Sequence, residues 1–430
     1  MFLFQLLKWL LVQWWTIVTV ILSMATLAPT GALASEGPEI TRVLYMSRWS
    51  NFRRRTDLML AADPCLSVFS VPMVGTFSVG RGYIDPDHVN RRMRMYMPRN
   101  LDQLVNSTDV IILHDAPCGY HYRPEVFFDP RWASWFVSGV RDHAVSLTMW
   151  GGDSSWGGGI EGDYVSWGTT VLDTVLPYSS LGGFNPGSMR NCERRFVGDG
   201  DPLSRIPWEE SQPIQLLNSV KPKPGARPMA EAVCGQATYP WIAWWRSGSG
   251  NVMGETEVFG SLWTTGLRDR MAAEWPWYQD FRIYLVYFLT ERSIPGDIYR
   301  AHVIRGNINR HSVRASLAIS VMDFVQGMGA NTRSLYLELD ELNGRKREAE
   351  RAYREGRYDD AASIFSDMEP VWEELEARAV ETKETALFWI YVIEWLVVTG
   401  TALVSGVFLW MTISRRILYR EMATTRMTEG

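Results

Sequence analysis

Asp153, Ser154 and Ser155 sit inside the block "WGGDSSWGGG" (150–159), which follows the apolar run 144–150. A strand that runs into a Gly-rich turn is where many α/β enzymes hold a nucleophile. A nucleophilic serine needs a base within hydrogen-bond reach and an acid that orients the base. His114 and Asp115 close the neighbouring apolar run "DVIILHD" (109–115) and are of the right types. One reading is therefore an exported serine hydrolase, with Ser154 or Ser155 attacking, His114 as base, and Asp115 or Asp153 assisting. Two features oppose it. Neither serine meets the G-x-S-x-G elbow, because Trp156 stands where Ser154 needs its second glycine and Asp153 where Ser155 needs its first. The nearest late Asp–His pairing, Asp297 to His302, also has the wrong spacing for a late Asp-x-x-His.

These residues need a scaffold, and the chain supplies alternating strand and helix signals. Strands are expected at 42–46, 66–74, 109–115 and 144–150, and helices at 52–63, 100–108, 129–143 and 169–177. This alternation predicts an α/β fold with a parallel sheet and helices on both faces. Residues 178–235, rich in Gly, Pro, Ser and Arg, read as loops over the sheet. Residues 238–263 read as a hairpin around Gly248-Ser249-Gly250-Asn251 followed by a final strand, and 275–291 as a core-facing helix. In an open parallel sheet, ligands meet the carboxyl ends of the strands. The candidate ligand-binding set there is His114, Asp115, Asp153, Ser154, Ser155, Trp156, Trp263, Thr264 and Arg268.

The segments "DVIILHDAP", "SLTMWGGDSSWGG", "YVSWGTTVLDTVLP" and "GSLWTTGLRDRMAAEWPWYQDFRIYLVYFL" together resemble the glutamine amidotransferase-like family over about residues 40–292. The resemblance implies the class I amidotransferase fold, a relative of the flavodoxin-like sheet. It also implies a Cys nucleophile in the turn after a central strand and a late His-x-Glu. Here the turn holds Asp153-Ser154-Ser155 without a cysteine, and 261–275 contains no histidine. With both roles vacant, the family likeness implies a non-catalytic domain that binds or scaffolds at its strand-end crevice.

Both chain ends bear on location. Residues 1–34 carry one cation, Lys8, a long apolar stretch and Ala32-Leu33-Ala34, the pattern of a cleavable signal peptide; the stretch is also long enough to stay as an N-terminal anchor. Residues 386–413 are long and apolar enough to span a bilayer, and Arg415, Arg416 and Arg420 follow at once. The positive-inside rule then puts the tail, 414–430, in the cytoplasm. An extracytoplasmic α/β domain is expected over 35–330, and a charged helical hairpin or stalk with a break at Gly356 over 331–385. Glu394 lies about two turns into the span. It is a candidate contact with another membrane protein, or a group that reaches the headgroups.

Cys65, Cys118, Cys192 and Cys234 lie in the exported part, where disulfides persist. Four cysteines allow three pairings. If Cys65 opens one parallel strand and Cys118 follows the end of its neighbour, the two lie about 20 Å apart. That exceeds the roughly 7 Å a disulfide can bridge, which leaves Cys192–Cys234 as the preferred pair. No two Cys or His have close metal-ligand spacing apart from Cys118 and His121, which lack companions, so no metal and no cofactor are expected. A net charge of −5 lacks the basic footprint of nucleic-acid binding. The 20 tryptophans, clustered at Trp244-Trp245 and around Trp275 and Trp277, fill a core or line a small-molecule or carbohydrate site.

Overall fold

A computed structural model describes residues 40–48, 56–73, 95–116, 118–120, 130–152, 154–156, 164–185, 191–214, 216–258 and 275–427. The strands are β1 (Thr41–Arg48), β2 (Leu66–Met73), β3 (Val110–His114), β4 (Gly119–Tyr120), β5 (Ser146–Trp150), β6 (Tyr164–Val165), β7 (Tyr178–Phe184), β8 (Glu193–Phe196), β9 (Asn218–Pro222), β10 (Arg227–Cys234), β11 (Ala237–Ser247) and β12 (Gly250–Glu255). The helices are α1 (Thr56–Ala61), α2 (Leu101–Ser107), α3 (Pro130–Asp142), α4 (Tyr278–Leu289), α5 (Ile298–Gly327), α6 (Arg333–Arg354) and α7 (Tyr358–Met427).

The main sheet has eight strands in the order β2-β1-β3-β5-β12-β11-β10-β8. The first five run parallel. The last three continue the sheet antiparallel. β3 and β5 are buried at every position, so neither shows an exposed polar face; β3 reads as the apolar run Val110–Leu113, while β5 also buries Ser146 and Thr148. Successive residues serve opposite faces. Val43, Tyr45, Val110, Ile112 and Trp150 pack in one core with α4, while Leu44, Met46, Ile111, Leu113 and Met149 pack in another with α2 and α3. Helices therefore cover both faces, as expected for an α/β domain.

Several expectations need correction. β1 lies between β2 and β3, so the strands next to Cys65 and Cys118 are not neighbours. The stretch 178–235 is not loop alone: β8 and β10 join the main sheet, and β7 pairs with β9 in a separate ribbon. β8 alternates exposed and half-buried residues, and β7 beyond Tyr178 is exposed or half-buried throughout, so no apolar run marks either. In place of the helix expected over 169–177, the chain makes 3₁₀ turns at Trp167–Thr169 and Val171–Thr174, capped by the Ser166 and Thr170 side chains. The hairpin β11–β12 forms as expected, whereas 259–263, assigned to a final strand, lies outside the described residues.

Cys192 and Cys234 are joined in a disulfide, with Cα atoms 4.4 Å apart. The register Val233↔Glu193 places them opposite one another across β10 and β8. Cys65 and Cys118 are buried free thiols.

The helical part begins earlier than residue 331. α5 starts at Ile298, and α5, α6 and α7 pack together. α5 sits on α7 through Arg314, which meets Glu369 at 2.8 Å and Glu376 at 2.7 Å. The Trp372 indole donates to His311 Nδ1 at 3.2 Å. Nδ1 is thus an acceptor, and Nε2 is the donor to Asn343 Oδ1 at 3.1 Å. Burial lowers the His311 pKa, consistent with this neutral form. Gly356 separates α6 from α7 at φ 76°, a left-handed position suited to glycine. Residues 386–413 are not a separate element but part of the unbroken α7. Among the described residues α7 is the one helix long and apolar enough to cross a membrane. Glu394 lies on its exposed surface, along with Trp389, Tyr391, Trp395 and Trp410.

Candidate functional site

The ends of β3 and β5 bring His114, Asp115, Ser154, Ser155 and Trp156 together, and all five are buried. His114 faces Trp150 across the strand pair. Its Nδ1 is hydrogen-bonded to the Tyr45 hydroxyl at 2.6 Å, and Ser47 Oγ donates to its carbonyl at 3.0 Å. Burial keeps the Tyr45 phenol protonated far above its ordinary range.

The chain then turns sharply. Asp115 has φ 47°, a conformation that Asp tolerates better than most residues. Its Oδ1 accepts the Ser154 amide at 2.7 Å. Gly152 makes this approach possible: a Cβ there would fall 2.3 Å from Asp115 Cγ. Asn218, at the start of β9, holds the same turn by accepting the Gly152 amide at 3.1 Å and donating to the Gly152 carbonyl at 2.8 Å. The Ser155 hydroxyl accepts the Ala116 amide at 3.1 Å, and Trp167 donates to the Ala116 carbonyl at 2.8 Å. Trp156 donates to the Glu255 carbonyl at 2.9 Å. The two strand-end turns are thus fastened together mainly through backbone groups.

Ser154 differs from its neighbour. Its hydroxyl is fully buried and has no hydrogen-bond partner among the described residues. The described side chains form no Ser154–His114 hydrogen bond. Asp153, Trp263, Thr264 and Arg268 lie outside the described residues.

Two ion pairs line the far side of the turn. Glu255 and Arg282, both fully buried, meet at 2.9 Å, with the Arg282 guanidinium 4.4 Å from the centre of the Trp150 ring. Glu257 and Arg194 meet at 3.3 Å, and Arg194 lies over Trp208 and Trp241. Burial pushes the Glu257 carboxyl up to about 7, against the pull of Arg194, and also raises Glu255 against Arg282. Glu257 Oε2 has no partner among the described residues. Sequence reasoning passed over Tyr45, Asn218, Arg194, Glu255, Glu257 and Arg282. A usable signal is the charge of Arg282 inside the apolar run 281–289, and of Glu255 and Glu257 at and just past the end of a hairpin strand.

The tryptophan clusters pack inward. Trp275 and Trp277 are buried, and Trp208 lies 4.5 Å from Trp275 between ring centres. Trp244 and Trp245 are half-buried; their indoles donate to Asp199 and to the Val175 carbonyl. Such rings offer no exposed coplanar platform for a sugar. Among the described residues there is no group of three or more His, Cys, Asp or Glu placed to hold a metal ion.

No family model matches the chain, and no curated protein matches it. Among solved structures, it is similar to a cytoplasmic protein of Salmonella typhimurium LT2 at 14% identity and TM-score 0.41, covering 58% of this chain and 99% of that one. A second cytoplasmic protein of Salmonella typhimurium matches at 14% identity and TM-score 0.41, covering 57% of this chain and 98% of the other.

Proposed function

We propose that the chain is a membrane-anchored, extracytoplasmic binding or scaffolding protein built on a non-catalytic amidotransferase-like domain. The observation that carries this reading is the use of the two serines. The Ser155 hydroxyl is committed to the Ala116 amide, and Ser154 is fully buried with no base in hydrogen-bond reach among the described residues. A nucleophile needs both access and a base. The vacated strand-end crevice is then a place for a small ligand or a segment of a partner protein.

Location has separate support. The Cys192–Cys234 disulfide suits an oxidising compartment. α7 carries an exposed apolar stretch followed by Arg415 and Arg416, which favours a cytoplasmic C-terminus. From Asp359 to Ala386, α7 rises about 40 Å at 1.5 Å per residue. In this arrangement α5, α6 and α7 form a mast that holds the α/β domain about that far above the bilayer. Glu394 in the span is a candidate contact with a second membrane protein.

Labelling with a fluorophosphonate probe tests the non-catalytic reading: no adduct at Ser154 or Ser155 is expected, and an adduct lost in Ser154→Ala/Ser155→Ala would overturn it. Replacing 386–413 by an unrelated spanning helix tests the scaffold. Loss of a co-purifying membrane protein is expected, and unchanged co-purification reduces that helix to an anchor.

A further inference from the structure

α5 has two apolar faces, and only one is covered by the described residues. Ile304, Ile308, His311, Ala318, Met322 and Val325 point inward and are buried. On the opposite side Tyr299, Val303, Val313, Leu317 and Phe324 are each at least half exposed. Positions 299, 303, 306, 310, 313, 317, 320 and 324 alternate spacings of four and three, the 3.5-residue repeat of a coiled-coil seam. Gly306 and Ser320 are small, and Arg310 is the one charged residue in the stripe. The seam runs about 38 Å along the helix.

Beside it, α5 and α7 enclose a groove of about 360 Å³ lined in part by Val303, Arg310, Arg314, Phe365 and Glu369. Arg310 is exposed and has no ion pair among the described residues. Glu369 is half exposed and meets Arg314 through Oε1 alone. Each copy therefore offers one unspent cation and one underused carboxylate at the same height of the helical unit. A surface carrying both is complementary to itself.

We propose that this face is a parallel homodimer interface, α5 against α5, with the two-fold axis along the helical unit. The orientation rests on the membrane-anchored reading. Copies inserted the same way into one bilayer can pair at matched heights only in parallel. In an isologous pair each stripe residue meets its own counterpart. Arg310 turns from its twin into the neighbouring groove and meets Glu369 of the other copy. A single charged residue in a largely apolar seam fixes register and partner number.

The full chain in lipid nanodiscs tests this. Under mild oxidation, Leu317→Cys and Val303→Cys should each cross-link to themselves, and Ser316→Cys, off the seam, should not. By native mass measurement, Arg310→Glu and Glu369→Arg should each weaken the dimer at least tenfold, and the double exchange should restore it. A monomer at micromolar concentration, equal cross-linking at 316, or cross-linking in native membranes only to a different protein overturns the proposal. Carbonate extraction of native membranes is scored separately. Release of the chain refutes the anchoring, while self-cross-linking at 317 decides the interface.

Discussion

Arg305 on α5 donates from Nε to Asp63 Oδ2 at 2.7 Å, across 242 residues of sequence, and both side chains are buried. The same guanidinium reaches Asp280 on α4 at 2.5 Å, while Tyr287 and Tyr353 donate to Asp63 at 2.8 and 2.9 Å. Asp280 in turn holds His302, which stacks on Trp277 at 4.2 Å. The α/β sheet region, through Asp63 and Asp280, is thereby keyed to α5 and α6. Removing one partner of a buried pair leaves an uncompensated charge and costs about 3–5 kcal/mol. Arg305→Met should lower stability by that order and expose the segment around Ile298 to protease. Thermal unfolding and limited proteolysis of the detergent-solubilised chain read both effects. If Arg305→Met unfolds like the native chain, the network is not what joins the two parts.

The turn between β5 and Trp156 makes a sharper demand. Gly152 has no room for a methyl group beside Asp115, so Gly152→Ala should cost about 2–3 kcal/mol through overpacking. Asp115 sits at positive φ, where glycine is at ease, so Asp115→Gly removes the obstruction without backbone strain. In the double variant the cost of Gly152→Ala should shrink, a non-additivity expected of residues in contact. A double-mutant cycle on unfolding free energy measures it. Additive costs would mean that the side chain of Asp115 is not the obstacle.

The legibility of this fold follows burial. β3 is readable because Val110, Ile111, Ile112 and Leu113 form an unbroken apolar run, and β5 because Leu147, Met149 and Trp150 form a second run interrupted only by the small Thr148. β8, "ERRF", carries three charges in four residues at a sheet edge, and nothing local separates it from a loop. α5 was missed because apolar residues lie on both of its sides, Ile304 and Ile308 inward, Val303 and Val313 outward, which blurs a one-faced helical period. The meeting of His114, Asp115, Ser154 and Ser155 was readable, since it needs only adjacent parallel strands. The Asn218 clamp and the Arg194–Glu257 pair join segments 63 to 66 residues apart, and no spacing announces such contacts.

The disulfide offers a direct measure of compartment and stability. It closes a loop of 42 residues, for which chain-entropy reasoning gives about 4 kcal/mol. Cys192→Ala/Cys234→Ala should lose stability of that order. Thiol counting gives an independent readout. Cys65 and Cys118 are buried, and burial pushes the Cys118 thiol up to about 12. Denatured, unreduced chain purified from membranes should therefore show two reactive thiols, and reduction should raise the count to four. Four thiols without reductant would place the domain in a reducing compartment.

Glu257 makes stability depend on pH. Burial raises its folded-state pKa from the ordinary 4.5 to about 7, so between these values the folded chain binds more protons than the unfolded one. Its contribution to stability is therefore fully present below about pH 4.5 and is lost as pH rises through about 7. A shift of this size corresponds to something on the order of 3 kcal/mol across the window, at 1.36 kcal/mol per unit. Arg194, at 3.3 Å, opposes the loss by stabilising the carboxylate, and burial lowers its own pKa, so both members of the pair are drawn toward neutrality. Glu257→Gln removes the titrating proton and keeps the volume. Unfolding midpoints measured from pH 4.5 to 8 should flatten in this variant relative to the native chain. Parallel pH profiles for the two would show that Glu257 keeps an ordinary pKa and that the ion pair with Arg194 outweighs its burial.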